Sequence, residues 1–502
     1  MIFATRDGKL DPGQDDTVAQ LKAALANPGA KLLLHLHGGL VDDKAGRETA
    51  ARLAGPAPSG WGLAADWSQA YVVWRTGVFE TIATNWLDLA HDDRLYKVVL
   101  EKLMWFVAGK LGVPGATGRS AAAAATLTEA EIRKRLRGEG DRRAPFAEVD
   151  EKVELSVPGG RGPVIAAQSD GDLALEFQDV LSQDDEFNAA AADIDAVVNA
   201  KVPGRAPLSP GDKAKGEKSY RRLDEKVRAP IEQLKPGEGG RTGPVGVAAF
   251  LIKHAGRIAW RCFKRFRTHR DHGFHATLVE EVAREMYGDL LGAKIWGMMV
   301  KDAADHFAPG GFGLQLLDAL PQGHPVHLVV TAHSAGSIWA AQMLKAIKAT
   351  GKTVSLDLIL LAPAVRTDLF AEALEAAGNH VARCRMFTMD DELERADAVL
   401  GHDKGYIYPS SLLYMVSGMF EELGSEAFAD APLVGMQRFV NADWLDDVKQ
   451  VAAGQAIAAF FQQAGHDVIY SPTPGVTMAD THSGFSSEPL TLASVVGFFS
   501  GQ

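Results

Sequence analysis

Two cysteines in 502 residues, Cys262 and Cys384, are too few and too far apart for a disulfide framework. They are equally short of a thiolate zinc site. A reducing compartment is the expectation. Long hydrophobic runs are also missing, since none approaches the roughly 18 apolar residues of a spanning helix. The opening residues Met1-Ile2-Phe3-Ala4-Thr5-Arg6-Asp7-Gly8 have no charged leader followed by an apolar stretch, so no secretory signal is expected. Positive charge is in deficit, with 52 Lys and Arg against 64 Asp and Glu. The net charge of −12 argues against a nucleic-acid surface as the main role. There is no P-loop, and no glycine-rich nucleotide loop in a strand-to-helix setting. These absences point to a cytoplasmic protein with no resident metal or cofactor.

What is present is ordinary core material, 46% of the residues being hydrophobic. Short apolar runs recur at Lys31–Leu36, Ala70–Trp74, His327–Thr331, Val354–Leu361, Ala382–Phe387 and Asp467–Tyr470. Helical patterns lie between them, at Asp16–Ala26, Ser337–Ala349 and Leu369–Ala377. The alternation predicts an α/β architecture with a mostly parallel sheet. The strand pattern breaks between about Leu89 and His306, a stretch too long for a loop. Residues 1–89 and 307–502 therefore read as two parts of one sheet domain, and 90–306 as a large, mainly helical insertion. Within it Ala90–Leu111, Thr128–Gly140, Val245–Phe266 and Thr277–Phe307 look helical. Pro158–Pro244 is rich in Gly, Pro and charge, and Gly204–Gly243 reads as an exposed linker.

The segment His327-Leu328-Val329-Val330-Thr331-Ala332-His333-Ser334-Ala335-Gly336-Ser337 runs an apolar strand into a small-x-Ser-x-Gly turn. A helix pattern with Ile338, Trp339, Met343, Leu344 and Ile347 follows. A serine hydroxyl attacks only when a base takes its proton. A sharp strand-to-helix turn lifts that hydroxyl clear of the sheet, and small residues two positions away let the backbone turn tightly. The helix N-terminus behind it suits a developing oxyanion. Ser334 is the candidate nucleophile.

Earlier in the chain Leu32-Leu33-Leu34-His35-Leu36-His37-Gly38-Gly39-Leu40 is an apolar strand ending in His-Gly-Gly. An oxyanion needs two donors. One is expected from the N–H of Ala335, the other from Gly39 or Leu40, where glycine lets the backbone approach a substrate. His37, Gly38 and His333 flank these groups and are expected to border the substrate.

His-Gly-Gly-Leu after an early strand and Ala-His-Ser-Ala-Gly after a later one resemble the α/β-hydrolase superfamily, over Lys31–Trp74 and His327–Phe499. Ala332 stands where glycine is commoner, and the insertion lies outside the resemblance, so no particular substrate is carried over. The resemblance implies the order serine, acid, histidine. Met389-Asp390-Asp391 follows a strand and offers the acid, with Asp391 preferred over Asp390 and with Asp368 and Asp397 more remote. The base is expected in a loop after the last strand, where His482 lies between Asp480 and Gly484. His466 precedes that strand and His402 comes too soon after the acid. The activity implied is hydrolysis of a carboxylic ester, of a small molecule or a lipid, through an acyl-enzyme. The insertion is expected to cover the site as a cap. A peptidase, a thioesterase or an acyltransferase would use the same residues, and a non-catalytic binding protein would keep the fold without the chemistry.

Two other patterns stand out. Arg257, Arg261, Lys264, Arg265, Arg267 and Arg270 interleave with Ile258, Trp260, Phe263 and Phe266. Such a basic amphipathic helix, residues 252–270, is either a peripheral contact for an anionic membrane or a solvated face paired with the acidic excess. His269, His272 and His275 recur every three residues, but without a HExxH pattern or a clear further ligand they are not expected to hold a metal.

Overall fold

The computed structural model describes residues 1–74, 79–112, 127–154, 168–199, 210–234, 244–421, 430–440, 445 and 447–500. Its strands are β1 (Ile2–Arg6), β2 (Lys9–Leu10), β3 (Lys31–Leu36), β4 (Trp67–Trp74), β5 (His327–His333), β6 (Leu356–Leu361), β7 (Val381–Met389) and β8 (His466–Ser471). They form one sheet in the order β2-β1-β4-β3-β5-β6-β7-β8. Every neighbouring pair is parallel except β1 with β2. The chain is thus of the α/β class, a mostly parallel sheet flanked by helices.

The strands read as unbroken apolar runs because both faces of the sheet are covered. Alternate residues divide between two cores. Leu32, Leu34, Val72, Val330, Leu358 and Met386 belong to one. Leu33, Tyr71, Val329, Ile359, Phe387 and Met389 belong to the other, with the helices Asp43–Leu53 and Pro489–Ser500 packed over them. The first core is the larger. It takes in the helix Gly336–Thr350 and continues without a break into the helices between β4 and β5. Because β3, β5, β7 and β8 run the same way, their C-terminal ends open on one edge of the sheet, where parallel sheets bind ligands.

The sequence expectation missed β1 and β2. Both are short, and Thr5, Arg6 and Lys9 break the apolar pattern. The stretch 158–244, rich in Gly, Pro and charge, nevertheless carries regular structure. Helices occupy Asp170–Ser182, Asp185–Asn199, Pro210–Arg222 and Glu225–Gln233. The Gly204–Gly243 linker is corrected, since Tyr220, Leu223, Val227 and Ile231 are buried; residues 201–209 and 235–243 lie outside the described residues. Leu173, Ala174, Phe177 and Leu181, and then Phe187, Ala190, Ala191 and Ile194, are buried at helical spacing, so the period is present in a stretch dominated by its Gly, Pro and charge. The Thr277–Phe307 pattern is divided into Phe274–Met286, Gly288–Leu291 and Ala293–Asp305. Gly292, at φ +120°, makes the second break, where a Cβ would lie 2.7 Å from Ile82 Cδ1.

The basic helix Pro244–Arg267 is not a solvated face throughout. Arg265 is 2% exposed and donates to Glu280 at 2.7 Å and Glu281 at 3.0 Å. Arg261 donates to Glu285 at 2.8 Å, and Arg270 to Asp430 at 2.7 Å. These guanidiniums face carboxylates inside the protein. Among the described residues, no helix is long and apolar enough to cross a membrane.

Candidate functional site

Ser334 follows directly on β5 and has φ +52°, a left-handed conformation that a side chain with a Cβ adopts only under strain. Its main chain is held on every side. Its N–H donates to the Leu361 carbonyl at 2.8 Å. Its carbonyl accepts from Ala364 N–H at 3.1 Å, from Ser337 N–H at 3.0 Å and from the Ser337 hydroxyl at 2.5 Å. The Ser337 hydroxyl also accepts from Val365 N–H at 3.0 Å and so locks the turn to the loop after β6. The Ser334 hydroxyl itself is 1% exposed as a residue and has no hydrogen-bond partner. The strain is therefore imposed by the backbone network, and the side chain is left uncommitted.

The His-Gly-Gly loop lies against this turn. A Cβ on Gly336 would sit 2.5 Å from the Leu36 carbonyl oxygen and 3.0 Å from that of His37. A Cβ on Gly38 would sit 3.2 Å from Ser334 Cβ, and one on Gly39 2.9 Å from Ala335 Cβ. Three glycines thus allow two loops from different strands to touch. Leu40 closes the loop at φ +59°, its carbonyl accepting from Phe79 N–H at 3.2 Å. Ala335 stands at the N-cap of the Gly336–Thr350 helix. His37 holds the loop in shape. Its Nδ1 donates to the Gly38 carbonyl at 2.6 Å and its Nε2 accepts from Trp74 N–H at 3.3 Å.

His482 reaches the same edge from the loop after β8. The His333 Nε2–H donates to the His482 carbonyl at 3.1 Å, and the two rings are 5.4 Å apart. The His482 N–H donates to Asp397 Oδ2 at 2.8 Å. Both main-chain groups of His482 are thereby pinned, while neither ring nitrogen has a partner and the residue is 5% exposed. Burial, and then the neighbouring His333, hold its pKa well below the usual imidazole value. Burial likewise lowers His37 and His333 to about 4. The site is built of neutral imidazoles.

Of the two acids preferred from sequence, neither side chain is bonded to His482. Asp390 caps the helix Asp391–Ala396, accepting from Leu393 N–H at 2.8 Å. Asp391 accepts from the Tyr414 hydroxyl and pairs with Arg395 at 3.5 Å. The carboxylate that touches the histidine loop is Asp397, at the other end of that short helix. It is 6% exposed, and burial pushes its pKa up to about 6 although the His482 N–H favours its charge. The helix Asp391–Ala396 carries the chain from β7 back toward the histidine loop, so that Asp397 at its end meets the His482 main chain. Ser337 was missed; its place one residue after Gly336 was the available signal.

The three evenly spaced histidines do not converge. His272 Nδ1 bonds Glu280 at 2.8 Å, His275 packs edge-on against Phe146, and the His269 carbonyl accepts from Arg438 at 2.9 Å. Among the described residues no group of three or more His, Cys, Asp or Glu is arranged to hold a metal ion. Comparison with protein-family models, with curated proteins and with solved structures finds no match to this chain.

Proposed function

We propose that the chain is a serine hydrolase of the α/β-hydrolase type that cleaves carboxylic esters through an acyl-enzyme. The observation that carries the reading is the strained, backbone-locked Ser334. Its uncommitted hydroxyl shares the sheet edge with an uncommitted, neutral His482. The positions agree with the fold-level pattern of nucleophile after a central strand, oxyanion loop after an earlier one and histidine after the last.

In this mechanism His482 takes the Ser334 proton as the oxygen attacks the ester carbonyl carbon. The N–H of Ala335 and one from Gly39 or Leu40 stabilise the oxyanion. Collapse expels the alkoxide, which leaves with the proton from His482. Water then repeats the sequence on the acyl-enzyme and releases the acid. Asp397 serves as the acid partner in place of Asp390 or Asp391, because it already holds the His482 main chain. The helices between β4 and β5 act as the cover that restricts access.

The test is intact-mass labelling with a fluorophosphonate on wild type, Ser334→Ala and His482→Ala. The reading expects one adduct on wild type and none on either variant. An unlabelled wild type, or an adduct that survives Ser334→Ala, would overturn it.

A further inference from the structure

The nucleophile turn and the histidine loop leave the sheet from strands that are not neighbours. Ser334 follows β5 and His482 follows β8, with β6 and β7 between them. Sheet register alone therefore does not fix the distance between the two side chains, although proton transfer needs that distance held closely. Neither ring nitrogen of His482 has a hydrogen bond, so its place is set by its main chain and its packing.

His333 joins the two loops. It is the last residue of β5, immediately before Ser334. Residues two apart on a strand share a face, so His333 lies on the side of Val329 and Thr331. Val329 belongs to the smaller core, as do Ala479 and Phe485 on either side of His482. Alternation along β5 thus turns the His333 ring toward the histidine loop. Burial lowers the His333 pKa to about 4, although the bond to His482 favours the cation, so the ring is neutral near pH 7. A main-chain carbonyl only accepts, so the proton of that neutral ring is on Nε2 and Nδ1 is bare. The Nε2–H donates to the His482 carbonyl at 3.1 Å, and the two rings lie 5.4 Å apart at 32° to one another. Another edge of the ring meets the oxyanion loop, where a Cβ on Gly38 would lie 3.1 Å from His333 Nδ1. One ring thus spans from the oxyanion loop to the histidine loop, and its main chain runs straight into the nucleophile. Asp397 holds the His482 N–H at 2.8 Å, so the His333 bond is the second of two ties on that main chain.

We propose that His333 is a positioning residue, whose Nε2–H holds the His482 main chain in register with Ser334. The inference rests on the hydrolase reading of this site. Proton transfer stays with His482, and His333 acts on it through the carbonyl it binds and the ring it packs beside. What the position requires is a donor at the reach of Nε2, not an imidazole as such.

The experiment compares fluorophosphonate labelling rates of full-length wild type, His333→Gln, His333→Asn and His333→Leu, with thermal melts and the imidazole nitrogen shifts of His482. The Gln amide reaches the His482 carbonyl, the Asn amide is one bond too short, and Leu has no donor. His333→Gln should label within about threefold of wild type, and His333→Asn and His333→Leu about 10- to 100-fold more slowly. The His482 nitrogen shifts should move in His333→Asn and stay near wild type in His333→Gln. If His333→Leu misfolds, the two amides decide, because they differ in reach and not in chemistry. Wild-type labelling on Ser334 together with an equal rate in His333→Asn would overturn this inference and leave the hydrolase reading standing. A His333→Gln as slow as His333→Asn would overturn it too, since the imidazole itself would then be required. A wild type that takes no label would remove the hydrolase reading and this inference with it.

Discussion

Ser334 sits at φ +52° with its carbonyl accepting three hydrogen bonds, so its conformation is imposed by its neighbours. A residue held there stores on the order of 1 kcal/mol or more. Ser334→Gly should therefore melt higher than Ser334→Ala by about 1 kcal/mol in chemical denaturation, both being unlabelled by a fluorophosphonate. Asp397 gives a sharper test. Its folded pKa of about 6 lies above the unfolded value near 3.8, so the folded chain holds an extra proton between the two. The stability from that proton is complete below about pH 4 and is lost as pH rises through about 6. Asp397→Asn should match wild type at pH 4 and exceed it by about 2–3 kcal/mol at pH 8. Its labelling rate should fall on the order of 10³–10⁴-fold. In wild type the labelling rate should rise through about pH 6 as Asp397 ionises. Asp391→Asn should label like wild type. A reversed ranking of the two variants would return the acid to Asp391.

At the scale of elements, the two loops of the candidate site are held together by glycine contacts. Gly336→Ala would press a Cβ to within 2.5 Å of the Leu36 carbonyl oxygen, and strand backbone does not give way as a flexible side chain does. A loss of about 1–3 kcal/mol in urea denaturation, with loss of labelling, is the expected outcome. The helix Pro244–Arg267 is fixed differently, by buried charge. Arg265→Leu would take the buried guanidinium away from Glu280 and Glu281, leaving Glu280 only Tyr408 and His272, and should cost about 3–5 kcal/mol, read by the same denaturation. Periodicity in the sequence located this helix and its arginines. It could not locate Glu280, Glu281 and Asp430, which come from later segments.

For the whole molecule, the larger core joins the sheet to the helices between β4 and β5 without a gap. Leu34 and Val330 belong to it with Leu103, Phe177, Leu251 and Val282. Calorimetry should accordingly show one cooperative transition, not a separate melting of the 90–306 region. Deleting 205–243 should yield insoluble protein, since Tyr220, Leu223, Val227 and Ile231 are buried. Two resolved transitions, or a soluble, folded deletion variant, would make the region an independent cap.

The α/β class and six of the eight strands among the described residues were legible in the sequence. Apolar runs such as Lys31–Leu36 and Leu356–Leu361 are covered on both faces and carry that burial in their composition. The turn at Ser334 and the glycines after β3 were legible because backbone geometry there restricts residue type. Two things were decided only by the tertiary structure: the pairing of the arginines with buried acids, and the contact of Asp397 with His482. Pairs formed across long separations leave no local period. A carboxylate's neighbour depends on how the chain returns in space, which residue order alone does not encode.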